Sequence, residues 1–341
     1  MNKQVYALAV IAILALGLGV WLSQSPSKDK FIAGLLFDDL QEFANQVDSV
    51  EITNAQGVLF SAKKLGDSWL ATVVPEQPVY PISQDKLAEF VETMMRAKLV
   101  EAKTSKSENY IRLGLQPIDI DDSMASLVTL KANENFWQVL VGNKATLGEG
   151  QYILKSDDVR SWRTDKTIYL PIDKYSWLKQ PILPYQTQDI ISVSRVDSLG
   201  WQITRAVGGE FQLVNMPKDE ELEYASILNS IVNSLISLDF EQLFPVNEGF
   251  EQSLKVLTQL EVITAQQKTF QVVVSELDDE HFVNFISADQ SKYWQKWYYQ
   301  ISNFSAQQLI KTLDDFLLQE PASERPSSPS FSVVEEGDSP N

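Results

Sequence analysis

Residues 49–74 read SVEITNAQGVLFSAKKLGDSWLATVV, and three short strands can be parsed from them. Val50 and Ile52 alternate with polar neighbours, Val58 to Lys63 and Ser68 to Val74 read as two more strands, and Gly57 and Gly66-Asp67 stand where tight turns are needed. The period then changes. Ser83 suits an N-cap, and Leu87, Phe90, Val91, Met94 and Met95 fall at i, i+3, i+4, i+7 and i+8, an apolar stripe along one side of a helix. Strands followed by a helix that covers them make an α+β unit.

Upstream, Leu36, Leu40, Phe43 and Val47 recur at helical spacing and predict a short amphipathic helix. Downstream, the whole succession recurs. Ile191 and Val193 follow Val50 and Ile52 by 141 positions, Phe211 follows Trp69 by 142, and Leu228, Ile231, Val232, Leu235 and Ile236 each lie 141 beyond a member of the first stripe. Trp137 to Val141 is echoed by Phe270 to Val274 at an offset of 133, and Tyr152 to Ser156 by Val283 to Ser287 at 131. Both echoes lead to an aromatic strand, Thr167 to Leu170 and Trp297 to Ile301. The order of elements therefore predicts two tandem β-rich α+β modules, residues 31–180 and 181–320, related by internal duplication. Two unrelated domains of similar element order are the competing reading.

The ends read differently. Val5 to Leu22, VYALAVIAILALGLGVWL, is a run of 18 residues without charge. At ~1.5 Å rise per residue it reaches roughly 27 Å, enough for one crossing of a hydrocarbon core of about 30 Å. Met1, Asn2 and Lys3 would also suit a cleavable signal, but Val20 to Ser25 offers bulky residues where a small-x-small cleavage site is expected. A retained anchor over residues 1–30, linker included, with the body in the bacterial periplasm, is the expectation. Ala15 and Gly19 form a small-xxx-small pair through which two such helices can approach as a homodimer. Residues 321–341, rich in Pro, Ser and acidic side chains, are expected to form a disordered tail.

A net charge of −18 makes the body repel phosphate backbones and removes nucleic acid from the partner classes. With no cysteine and one histidine, thiolate zinc sites are excluded and any Ser-His-Asp triad would have to pass through His281, which follows Asp278, Asp279 and Glu280 in what reads as a hairpin turn. Asp119, Asp121 and Asp122 open like a calcium loop, yet Met124 and Leu130 stand where an EF-hand needs Gly and Glu. Gly148-Glu149-Gly150 and Gly208-Gly209 do not extend into a phosphate-cradling motif. No catalytic, metal or cofactor residues are assigned, and the chain is expected not to be an enzyme. Tyr293, Trp294, Trp297 and Tyr298, with Tyr299, form the one aromatic run with the composition of a partner-binding or sugar-stacking surface; packing as cross-strand pairs is the alternative.

With the anchor, Asp67-Ser68-Trp69, the stripe helix ending in Lys98-Leu99-Val100-Glu101, and Tyr110-Ile111-Arg112-Leu113-Gly114-Leu115-Gln116-Pro117 after it, the chain resembles the domain-of-unknown-function family numbered 4340 over residues 35–315. The Tyr-x-x-Leu-Gly-Leu-x-Pro segment is the most specific part, and the second module has only FEQLFP at Phe240 to Pro245 nearby. The resemblance implies a membrane-anchored extracytoplasmic protein associated with ABC transporters of the gliding-motility type, and it brings no catalytic residues. The expected function is a non-catalytic accessory whose partners are ABC transporter subunits or another inner-membrane complex. An envelope polysaccharide-binding protein or hydrolase, and a scaffold of a secretion or pilus platform, are the alternatives.

Overall fold

The computed structural model describes residues 33–318 except Leu199, Asn215 and Gln290. The expected anchor Val5 to Leu22, its Ala15 and Gly19 pair and the acidic tail lie outside the described residues. The chain is α+β and mostly strand, with two antiparallel sheets. It divides into two compact units.

The first unit opens with β1 (Gly34–Leu35) and α1 (Leu40–Phe43), continued by a 3-10 turn at Ala44–Gln46. The helix expected across Leu36 to Val47 is therefore only four residues, with Leu36, Leu40 and Val47 buried and Phe43 half-buried. Next come β2 (Ser49–Asn54), β3 (Gly57–Leu65), β4 (Ser68–Ala71), β5 (Tyr80–Pro81), α2 (Gln84–Arg96) and β6 (Lys98–Ala102). After a crossover follow β7 (Ser126–Ala132), β8 (Asn135–Lys144), β9 (Gln151–Lys155) and β10 (Ser161–Thr164). These make one ten-stranded sheet in the order β1-β6-β10-β9-β8-β7-β2-β3-β4-β5. Period-two alternation sends Val50, Ile52, Phe60, Val128, Val139 and Val141 into the core. The stripe of α2 buries Leu87, Phe90 and Met94, and Trp177 bridges Phe90 to Phe60 with both ring centroids 5.0 Å away.

The second unit carries β11 (Ile190–Arg195), β12 (Gln202–Arg205), β13 (Phe211–Leu213), α3 (Ile227–Ile236), α4 (Glu248–Ser253), β15 (Lys255–Thr264), β16 (Thr269–Leu277), β17 (Glu280–Ser287) and α5 (Asn303–Leu309). Strands β14 (Gln242–Pro245) and β18 (Trp297–Ile301) intervene, and the segments 240–247 and 291–299 group with the first unit. The second unit's strands run β13-β12-β11-β15-β16-β17, and the first unit's run β4-β3-β2-β7-β8-β9, the same order for six strands with a helix after the third in sequence. Ring contacts recur with it. Phe43 meets Trp137 at 5.8 Å and Tyr185 meets Phe270 at 5.6 Å, at positions 142 and 133 apart.

Two local expectations are corrected. Thr167 to Leu170 is irregular; the ladder position belongs to Ser161–Thr164, which pairs with both β9 and β6, and the chain then turns towards Pro171 as the Asp165 carboxylate accepts from the Lys98 N–H at 2.7 Å. A register shift after Ile190 puts Ile190 in the core and leaves Ile191 half-buried.

Candidate functional site

The segment with the most specific sequence signature is a crossover. It begins with a 3-10 turn, Ser107–Leu113, that ends on Gly114 at φ 66°. A side chain at Gly114 would also meet the Asn143 amide, its Oδ1 2.5 Å from the added carbon. Across from it, a β-carbon on Gly142 would stand 2.4 Å from the Leu113 carbonyl and 2.9 Å from Leu115 Cδ2. The motif thus lies directly on β8, with Leu115 fully buried and the Tyr110 hydroxyl donating to the Val159 carbonyl. Gly142 shares a sheet face with Leu140, and the register row on that face reads Thr53, Leu127, Leu140, Leu154. The segment thus packs closely on β8 at Gly142 and Asn143.

The aromatic run is interior. Trp294, Trp297 and Tyr298 are buried and Tyr293 is half-buried, so the indoles present no face to a partner. Within the first unit, Tyr80 collects Tyr293, Phe240, Tyr299 and Trp297 around its ring, with centroids 5.3, 5.6, 6.3 and 6.4 Å away. The Tyr293 hydroxyl donates to the Ile182 carbonyl at 2.8 Å, and Lys179 sits over its ring. Burial pushes the Tyr293 phenol up to about 12. Burial, with the Tyr80 hydroxyl beside it, pushes Tyr299 up as well.

The remaining candidates are placed apart. His281 is half-buried on β17 opposite Glu276, one residue past the type of tight turn that Asp278 and Asp279 make at positive φ. Asp119, Asp121 and Asp122 are exposed on the crossover. Gly148-Glu149-Gly150 lies between β8 and β9, and Gly208-Gly209 between β12 and β13. Among the described residues, no three His, Cys, Asp or Glu side chains gather as a metal site, and no helix is long and apolar enough to cross a membrane.

Two charged clusters are structural. Glu101 accepts from Lys103 at 2.7 Å and Arg163 at 3.0 Å, which together hold its carboxyl below the usual range. Buried Arg195 pairs with Asp197 at 2.7 Å and donates to the carbonyls of Ile310 and Lys311, fastening the chain after α5 to β11, while Thr258 donates to Asp197 at 3.0 Å. Asp315 accepts from the Thr312 N–H at 2.7 Å and its hydroxyl at 2.8 Å, and these bonds lower its pKa.

One feature the sequence pattern did not single out is a groove of about 440 Å³ in the first unit. Its floor includes Val47, Trp69, Leu87, Val91 and Met95, and Asn45, Lys64, Asp67 and Glu92 stand at its sides. The signal was present in the width of the stripe: Val91 and Met95, half-buried here, widen it beyond what Leu87, Phe90 and Met94 need for core contact. The groove offers apolar contact between charged banks, the make-up of a protein-contact surface.

In comparison with known proteins, the family model described as Domain of unknown function (DUF4340) matches residues 69–259, more than half of the chain. Neither a curated protein nor a solved structure matches the chain.

Proposed function

We propose that this chain, which belongs to the DUF4340 family, is a non-catalytic accessory of an inner-membrane ABC transporter or related envelope complex, anchored by Val5 to Leu22 with its body in the periplasm. The observation that carries the reading is how soon the body begins after the apolar run. Gly34 and Leu35 already pair with Leu99 and Lys98, and Leu36 is fully buried. The intervening residues 23–33 can span at most about 40 Å. A body held that close to a bilayer is suited to contact with the extracytoplasmic face of a membrane complex.

The two units are read as products of a tandem duplication. The shared six-strand order and the repeated ring contacts support this. So does the repeated closing bridge, Ile82 to Leu178 in one unit and Leu222 to Leu317 in the other.

Crosslinking in intact membranes followed by pull-down of the full chain tests the accessory reading. Recovery of an inner-membrane complex is the expected result. Recovery of no membrane protein, or full activity of a form released by replacing the apolar run with a cleavable signal, would overturn it.

A further inference from the structure

Close to where the N-terminal segment enters the body, the first unit carries another cleft, of about 440 Å³. Its walls come from the chain after β1 (Asp38 and Asp39), from the start of β8 (Phe136 and Trp137), and from the end of β9 and the turn behind it (Lys155 and Asp157). Three carboxylates thus share the cleft with one ammonium group. Asp39 accepts from the Trp137 indole N–H at 2.7 Å, and Lys155 approaches Asp157 only to 3.7 Å. Among the described residues no ion pair neutralises Asp38 or Asp39. Phe136 is 62% exposed. Excess negative charge beside an uncovered ring suits a cationic side chain with an apolar stem.

The chain supplies two such side chains a few positions away. Lys28 and Lys30 precede Ala33, the first described residue, and in an extended segment Asp29 between them would point to the opposite side. Lys28 stands five positions before Ala33 (33 − 28) and Asp38 five after it (38 − 33). Five extended residues reach about 18 Å in either direction, so a segment that doubles back before Gly34 brings Lys28 level with Asp38. Strand β1 lies at the edge of its sheet and pairs on one side only, with β6, so no other strand bars the way. We infer that Lys28 to Ile32 doubles back along β1 and seats the Lys28 and Lys30 ammonium groups among Asp38, Asp39 and Asp157, with their stems against Phe136. Docking shortens the tether: residues 23–27 alone reach about 18 Å, against about 40 Å for residues 23–33. That consequence rests on Val5 to Leu22 being an anchor, whereas the docking rests on the cleft and its charge and can fail while the accessory reading stands.

A carbodiimide, which condenses an amine and a carboxylate in direct contact into an amide with loss of water, tests the docking on the full chain in detergent micelles. The pair Lys255 and Glu276, 3.2 Å apart, is the positive control. Peptide mass spectrometry is expected to find Lys28 or Lys30 joined to Asp157, which lies 127 positions beyond Lys30 (157 − 30). In a mixture of isotopically heavy and light chains the link should join residues of one label. A variant combining Asp38→Asn, Asp39→Asn and Asp157→Asn, its fold checked by circular dichroism, should be cut by trypsin after Lys28 and Lys30 about threefold faster than the parent, the scale set by exposed ion pairs. A linked control without a link from Lys28 or Lys30 to Asp157, links only between heavy and light chains, or an unchanged cutting rate would each overturn the docking.

Discussion

The indole of Trp177 meets the ring of Phe60 edge-on, with centroids 5.0 Å apart at 68°. In the second unit Trp201 meets Phe316 at 5.1 Å and 72°, the same arrangement with the two residue types exchanged. Trp177 and Phe60 are both buried, so Trp177→Ala is expected to cost ~3–5 kcal/mol through the cavity it leaves. The double exchange Phe60→Trp with Trp177→Phe reproduces the other unit's pair and should recover most of that loss. Urea denaturation of the three chains measures it; equal destabilisation of the exchange and the truncation would deny that the two ring pairs are equivalent.

Gly142→Ala should destabilise by about 1–3 kcal/mol or more, because the new methyl would stand 2.4 Å from the Leu113 backbone carbonyl. Gly208→Ala is the control, having no atom within 4 Å of the added carbon, and should change stability by less than ~0.5 kcal/mol. Thermal unfolding of both measures the difference, and equal midpoints would deny the close approach of the crossover to β8.

Arg195→Met removes the partner of Asp197 and two donors to the carbonyls of Ile310 and Lys311. Arg195 is buried but Asp197 is partly exposed and keeps the Thr258 donor, so the cost should fall below the roughly 3–5 kcal/mol of a fully buried pair broken from one side. Limited proteolysis should show cleavage near residues 310–317 first, ahead of any change in the first unit. Restoring charge balance with Asp197→Asn on top should recover only part of the loss, because the carbonyls stay without the guanidinium.

Alkaline pH should unfold the first unit. Burial raises the Tyr293 phenol to about 12 and raises Tyr299 too. A group whose folded pKa lies above its unfolded value of ~10 contributes stability that is complete below pH ~10 and is lost as pH rises through the folded value. Phenolate absorbance recorded beside circular dichroism should show Tyr293 titrating late and together with unfolding between pH ~10 and about 12, with Tyr299 also titrating later than a free phenol. Tyr293→Phe should make that transition shallower.

A chain ending at Ile182 should not give a stable first unit. It lacks Phe240, Tyr293, Trp297 and Tyr299, the rings that surround Tyr80, and Tyr80 is fully buried in the intact chain. Binding of a hydrophobic dye by the shortened chain, with loss of near-ultraviolet dichroism, is the expected outcome. Cooperative unfolding at the full chain's midpoint would show that the 240–247 and 291–299 segments are dispensable.

Periodicity made the strands and the α2 stripe legible, because Val50, Ile52, Leu87, Phe90 and Met94 each obey a local rule that one-sided burial enforces. The turns were legible for a similar reason: Gly57 and Gly66 take positive φ, which most side chains resist. The aromatic run was not. Tyr293 and Trp297 have the composition of a surface or of a core, and only the distant Tyr80 and Phe240 decide which; sequence separation hides such partners. The Tyr110 to Pro117 segment stood out as a motif, but its meaning depends on Gly142 and Asn143 approaching it, again from afar. Thr167 to Leu170 misled because alternation alone does not say which stretch wins a ladder already occupied by Ser161–Thr164.

The edge ladder at Gly34 and Leu35 has a mechanical side. Tension entering at Ala33 reaches a two-residue antiparallel pairing with Leu99 and Lys98 and one further bond from the Leu36 N–H to the Ala97 carbonyl, at 2.8 Å. Behind those rungs the same short stretch plants Leu36, Phe37 and Leu40 in the interior. Pulling would peel the edge first and then have to extract three apolar side chains before the strain reached β2. Tension applied from the N-terminal side would therefore be met first by residues 34–40, whose edge pairing is short, before it reached β2.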